Sequence, residues 1–230
     1  MAHFLQLQLL SSSANHCSSC PRLQCAPLST STQARSGPVD VDPDIQAPEL
    51  LHDLFAKGAS LLLEALPGVF EGQGPQLSSP QDEQQATHAA KLTREEARLD
   101  FSRPALSLHN TVRGFAGWPG TSASFVLRDK DTGSLEPTEI KIVRTRALDS
   151  DTGLYKHLQS EAGPNRVSEP APGQQGMHVQ WDPNTGDMLL PCQGGESVLR
   201  VFVVQPPTKK AIAARDFRNG LRQKEVCLAP

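Results

Sequence analysis

Asp100-Phe-Ser-Arg-Pro-Ala-Leu-Ser-Leu-His-Asn-Thr-Val-Arg-Gly-Phe-Ala-Gly-Trp-Pro-Gly-Thr121 is the stretch on which the fold turns. Its pattern predicts one short helix that stops at a turn. Ser102 is the expected cap, since a serine hydroxyl accepts a bond from an orphan amide two or three residues on. Pro104 falls in the first turn, where a missing N–H costs nothing. Leu108, Val112 and Phe115 recur at helical spacing, with Ala105 one turn earlier, and form an apolar stripe. Arg113 sits near the C-terminal end, where a cation suits the helix dipole. Gly114 and Gly117 weaken the helix, and Trp118-Pro119-Gly120 ends it. Beyond Gly120 the pattern alternates as strands do.

The flanks extend this reading. Thr93-Arg94-Glu95-Glu96 is a capping box that opens a helical turn before Asp100. After Ser122, Phe125–Leu127 is a short apolar run and Asp131-Thr132-Gly133-Ser134 a turn. Ile140–Leu148 reads as a strand whose alternation breaks at Val143. Residues 149–176 form a long polar loop. Met177–Trp181 alternates cleanly, Asp182–Asp187 is a hairpin turn, and Met188–Cys192 and Val198–Gln205 are strands around Gly194-Gly195. About five short strands with turn punctuation point to a small barrel.

The totals set limits. The chain has 230 residues, a formal net charge of −3 and a single tyrosine, with 19 prolines and 17 glycines, which suits a small core with long loops. No global basic field draws in nucleic acid, so such a partner needs a local patch. No apolar run approaches the ~20 residues that span a bilayer. The five cysteines do not form a disulfide framework: three cluster early and two stand alone.

Residues 1–39 hold no Asp, Glu or Lys, only Arg22 and Arg35, with many Ser and Thr. That is the signature of an organelle transit peptide. A secretory signal fits less well, and a truncated start is a third reading. His16, Cys17, Cys20 and Cys25 have a ligand-like spacing, but no second pair follows at zinc-finger distance, so free cysteines in a disordered leader are expected. From Pro48 to Leu66, Leu50, Leu51, Leu54, Phe55, Leu61, Leu62 and Leu66 make a strongly apolar helix, stopped by Pro67-Gly68. So apolar a helix needs a larger surface to cover it. Residues 68–92 are rich in Gly, Pro, Gln and Ser and read as a linker.

The stretch resembles the start of the C-terminal domain of methionyl-tRNA formyltransferases. In that family Asp-Trp-Ser opens a helix, then come Arg-Ala-Phe and Pro-Trp-Pro-Gly. The matching residues are Asp100, Ser102, Ala105, Arg113, Phe115, Trp118, Pro119 and Gly120. Phe101, Gly114 and Gly117 replace the family's Trp, Ala and Pro. The resemblance covers about Asp40 to Lys224. Leu51, His52, Phe55, Gly58, Ala59, Leu62 and Leu63 match the last helix of the family's catalytic domain, and Ala86-Thr87-His88-Ala89-Ala90-Lys91 its connector. Gln205-Pro206-Pro207-Thr208-Lys209-Lys210 matches Gln-Pro-x-Gly-Lys-Lys, with Thr208 in place of Gly, so a different backbone turn is expected there. Phe217 should pack inward and Gly220 should cap the closing helix.

The implied fold is α+β and mainly β: a small OB-like barrel after two short helices, with a detached apolar helix and a disordered N-terminus. The implied organisation is a leader at 1–39, a one-helix remnant of the catalytic domain at 40–67, a linker at 68–92 and the C-terminal domain at 93–225. The family's transfer site uses an Asn, a His and an Asp beside a Ser-Leu-Leu-Pro loop, and these have no match here. His52 lies in the helix that closes the catalytic domain and reads as a surface or helix-packing residue, and His88, His109, His157 and His178 have no carboxylate or nucleophile at suggestive spacing. No catalytic residue, metal ligand or bound cofactor is therefore expected of this chain. The full-length family enzyme uses 10-formyltetrahydrofolate.

From Arg200 to Lys224 there are seven Lys/Arg and one acid. Lys209, Lys210, Arg215, Arg218 and Arg222 would make a basic surface if they share a face with Lys141, Arg144 and Arg146, and such a surface suits an RNA backbone. Arg113 and the connector's Lys91 complete the candidates. The expected partner is initiator methionyl-tRNA, met by a monomer in a chloroplast or mitochondrion, with no DNA or membrane partner. The competing reading is a non-RNA scaffold derived from a folate-dependent formyltransferase.

Overall fold

A computed structural model describes residues 32–33, 39–80, 84, 90–148, 177–222 and 224–229. The cysteine-rich leader with His16, the connector's His88, and the 149–176 loop with Tyr155 and His157 lie outside the described residues. The chain divides into two compact units. One comprises residues 1–43 and 49–90, the other residues 44–48 and 91–230.

The first unit holds β1 (Thr32–Gln33), α1 (Ala47–Phe70), α2 (Gly74–Leu77) and β2 (Ser79–Pro80), with β1 antiparallel to β2. Helix α1 runs past the expected stop and carries Pro67 inside it. Proline removes one donor, yet the Pro67 carbonyl still accepts from Glu71 N at 3.0 Å. The helix ends where Gly72 takes φ +81°, a left-handed conformation that glycine reaches without a Cβ clash. Only Leu54 of α1 is buried; Leu51, Phe55, Leu63 and Phe70 are exposed. Among the described residues no helix is long and apolar enough to cross a membrane.

The second unit is built on α3 (Ala105–Gly114), β3 (Thr121–Asp129), β4 (Leu135–Leu148), β5 (Met177–His178), β6 (Gln180–Trp181), β7 (Met188–Cys192), β8 (Ser197–Gln205), β9 (Ile212–Ala213), α4 (Ala214–Gly220) and β10 (Lys224–Leu228). The antiparallel sheet runs β5-β10-β3-β4-β8-β7-β6, with β9 added beside β8. It curls into a half-barrel of the small OB-like α+β type. Its concave side is filled by Phe125, Ile140, Ile142, Met188, Leu190, Leu199, Val201 and Val204. Helix α3 adds Ala105, Leu108 and Val112 of the predicted stripe to this core, while Phe115, its expected last member, is the C-cap and only partly buried. Helix α4 brings Phe217 inward, as expected.

Several local devices differ from expectation. The capping box at Thr93 forms, with Thr93 N donating to Glu96 Oε2 at 2.8 Å, and closes the turn over 94–97. Ser102 does not cap α3. Its amide donates instead to Asp100 Oδ1 at 3.0 Å, and Pro104 takes the cap position. The first helical amide, on Ala105, donates to Ser197 Oγ of β8 at 3.0 Å. A strand thus supplies the cap that the local sequence does not. Gly220 ends α4 without positive φ; Arg222 adopts φ +51° two residues later. Side-chain packing of Phe217 and the β10 pairing fix this exit, so a non-glycine residue is held in the left-handed region.

Thr208 lies in the turn after β8. It takes φ +61°, the conformation that a glycine would supply, and a β-branched residue there is strained. Thr208→Gly is therefore expected to stabilise the domain by about 1 kcal/mol, read as a rise in the urea midpoint. A fall would show that the turn draws net stability from the threonine side chain.

Candidate nucleic-acid interface

Strand β4 carries three of the candidate cations, and an irregularity decides where they point. Ile142 faces Val204, Arg144 faces Val203, and Thr145 faces Val201. Val143 is thus an extra residue on β4 and Phe202 one on β8. Such a bulge reverses the alternation of sides. Ile140, Ile142 and Thr145 point inward and are buried, while Lys141, Arg144 and Arg146 are all exposed. The break in alternation at Val143 was the sequence signal for this.

The sheet register carries the arrangement further. Lys141 lies beside Gln205, whose Nε2 donates to the Lys209 carbonyl at 2.9 Å. The Lys209-Lys210 turn is thereby tied to the strand position next to Lys141. Arg144 pairs with Val203, and Val203 pairs on its other side with Ala213, two residues before Arg215. Arg215 packs its stem against Gly186: a Cβ there would lie 2.9 Å from Arg215 Cγ, and Gly186 has φ +76°. The Arg218 guanidinium lies 5.6 Å from the centre of the Trp181 ring, a cation–π distance. Lys91 and Arg222 are exposed on connecting segments outside these rows.

Not all of the late positive charge is available. Arg200 Nη2 pairs with Asp187 Oδ2 at 2.6 Å and with Asp182 Oδ2 at 3.2 Å. Lys224 Nζ reaches Glu136 Oε2 at 2.8 Å. Arg146 donates through both Nε and Nη2 to the two oxygens of Asp44. Arg113 Nε donates to Asn110 Oδ1 at 2.8 Å. Lys141, Lys209, Lys210 and Arg222 make no ion pair among the described residues.

One constellation was missed by sequence reasoning. His109 is 5 % exposed; its Nδ1 lies 3.1 Å from Thr145 Oγ1 and its Nε2 3.5 Å from Asp44 Oδ1. Gln46 Nε2 donates to the Val143 carbonyl at 2.7 Å, so residues 44–48 form a strap across α3 and β4. Arg146 and Asp44 are 102 residues apart in the chain, and no local spacing could announce the pairing.

Cys192 and Cys227 are buried, and burial pushes Cys192 up to about 12, so it is a thiol and not a thiolate at neutral pH. No group of three metal-ligating side chains occurs among the described residues.

The elements define a half-barrel domain on which Lys141, Arg144 and Arg146 of β4 are exposed. The family model described as "Formyl transferase, C-terminal domain" matches residues 91–222, and the chain belongs to that family. Its relatives include a methionyl-tRNA formyltransferase from Methylobacterium sp. strain 4-46, 33 % identical over 184 residues, covering 80 % of this chain and 48 % of the relative. Another, from Brucella anthropi, is 42 % identical over 202 residues, covering 87 % of this chain and 54 % of the relative. The chain spans about half the length of these curated relatives.

Proposed function

We propose that the half-barrel binds the phosphate backbone of a transfer RNA, initiator methionyl-tRNA, and that the chain serves formylation of that tRNA in a chloroplast or mitochondrion. The observation that carries this reading is the bulge at Val143, which turns Lys141, Arg144 and Arg146 outward beside the Lys209-Lys210 turn. Clustered cations release condensed counterions on binding phosphates, and that release drives affinity without reading bases. The relatives' names supply the choice of tRNA over other RNA.

The formyl donor implied by the resemblance is 10-formyltetrahydrofolate. The residues present do not fit it. No Ser-Leu-Leu-Pro loop occurs in the 230 residues. The buried His109 is engaged by Thr145 and Asp44, and exposed Asn110 accepts from Arg113. These residues alone are therefore expected to hold tRNA without transferring a formyl group, which an assay with the folate donor and charged initiator tRNA checks.

Binding is tested by titrating labelled initiator tRNA at several salt concentrations. Affinity should fall steeply with salt. Replacing Lys209 and Lys210 together by alanine should weaken binding and reduce the slope of log K against log salt by about 1 to 2. A flat response with no affinity at low salt overturns the RNA reading and favours the scaffold.

A further inference from the structure

The carboxylate of Asp44 sits in a cradle of positive groups. Arg146 grips it with two donors from β4. His109 Nε2 approaches to 3.5 Å from α3, and this histidine is more than nine-tenths buried, with its ring held from behind by Thr145. Arg113 stands four residues after His109, hence on the same side of α3. The hydrogen bond from Arg146 holds Asp44 below the usual carboxylate range; burial opposes it, and the charges of Arg146, His109 and Arg113 add to it. Two cations and an imidazole on two different elements are thus arranged around a single anionic group, which the strap at 44–48 delivers.

We propose that this cradle is a binding site for a phosphate group, and that Asp44 occupies it as an intramolecular stand-in that a phosphate displaces. The geometry fits the chemistry. An arginine fork that takes a carboxylate with two parallel bonds takes two phosphate oxygens in the same way. An imidazole N–H supplies a further donor to an anion. Asp44 is 39 % exposed and Arg146 57 % exposed, and pairs so exposed hold weakly against competing anions and salt. Displacement leaves the cradle intact, since Thr145 keeps the imidazole in place.

The site also explains how Arg146 can lie on the outward face with Lys141 and Arg144 and yet be engaged. In this reading the strap regulates how many cations the face offers. The inference rests on the proposed RNA interface only for the source of the phosphate; the cradle itself would equally take a free anion.

The experiment compares the full chain with D44N and D44N/R146Q, using two probes. The first is inorganic phosphate, followed through the ring resonances of His109 by NMR. In D44N those resonances should shift saturably with phosphate, at lower concentration than in the parent chain, and D44N/R146Q should lose that response. The second is initiator tRNA. D44N should bind it more tightly, with a salt slope steeper by about 0.9 for the one phosphate gained, and D44N/R146Q should lose the gain. A phosphate response without a tRNA gain supports the site with a free anion as its ligand. Parent chain and D44N both failing to bind tRNA defeats the RNA reading and leaves the phosphate titration to decide. No saturable shift in D44N, or a shift that persists in D44N/R146Q, overturns the proposal.

Discussion

Phe125→Ala is expected to remove about 3–5 kcal/mol of unfolding free energy, against a total of about 5–15 kcal/mol for a domain of this kind. Phe125 has no exposed surface and stands at the centre of the sheet, opposite Thr138 of β4 on one side and Leu228 of β10 on the other. The strands on both sides are hydrogen-bonded in register, so they cannot collapse into the space a benzyl group leaves. The cost is therefore the lost transfer of the ring together with the cavity. Urea unfolding should show the midpoint falling while the slope stays constant, the sign of a change in stability alone. Phe125→Leu, which keeps most of the volume, should cost far less. A loss under about 1 kcal/mol for the alanine variant would mean that the side chain is not enclosed as described.

The second large effect concerns Arg200→Met. Asp182 is 4 % exposed and Asp187 14 % at their side chains. Both lean on one guanidinium, which also lies 5.3 Å from the Phe202 ring centre. Methionine fills the stem's space but leaves two carboxylates close together with their shared counter-ion gone. Breaking a buried pair in this way costs several kcal/mol; because Arg200 is itself 21 % exposed, we expect about 2–3 kcal/mol at neutral pH. The pH dependence follows from Asp182. Burial works against its ionisation, but the amides of Asn184 and Thr185 and the charge of Arg200 outweigh this, and its pKa lies below the ordinary value of 3.8. A depressed carboxylate contributes stability that is present above its unfolded pKa and lost as pH falls through its folded pKa. The parent domain should thus lose stability below about pH 4, and the penalty of Arg200→Met should shrink there, since protonated Asp182 no longer needs the guanidinium. Urea titrations at neutral and acid pH check this. An equal penalty at both would show that the arginine acts by packing alone.

Local chemistry made the centre of the chain legible. The helix stripe of Leu108 and Val112, the turn at Asp131–Ser134 and the hairpin at Asp182–Asp187 each rest on neighbours a few residues apart, and all three form. The hairpin turn is built as its residues imply, with Gly186 N donating to the Asp182 carbonyl at 2.8 Å. What escaped were partnerships made by tertiary contact. Ser197 caps α3 from 92 residues away, where Ser102 looked adequate. Pro67 failed to stop α1, because a single missing donor is a smaller loss than the stop pattern suggests. Thr208 and Arg222 hold positive φ where the sequence offers no glycine, since the paired strands on either side dictate the path. The candidate site divides in the same way. The cations could be named from composition, but that Arg146 meets Asp44 and that Arg200 and Lys224 are already matched with acids depends on register. Register was visible only as the fault at Val143.

That fault has a counterpart in Phe202, and the two cancel: the ladder below them and the ladder above them run with the same offset. Chain length in this pair of strands is therefore locked in tandem. Straightening β4 at Val143 with the residue kept would exchange inside for outside along half of the strand, driving Arg144 and Arg146 towards Leu199 and Val201, whereas dropping Val143 would leave Ile142 and Thr145 inside and Arg144 and Arg146 outside in plain alternation. Dropping Val143 and Phe202 together would leave a regular ladder in the same frame, with Ile142, Thr145, Val201 and Val204 still inside and Arg144 still outside. A descendant could therefore shed the two extra residues as a pair and still keep three cations on this exterior, but it could not iron out the kink while keeping both residues.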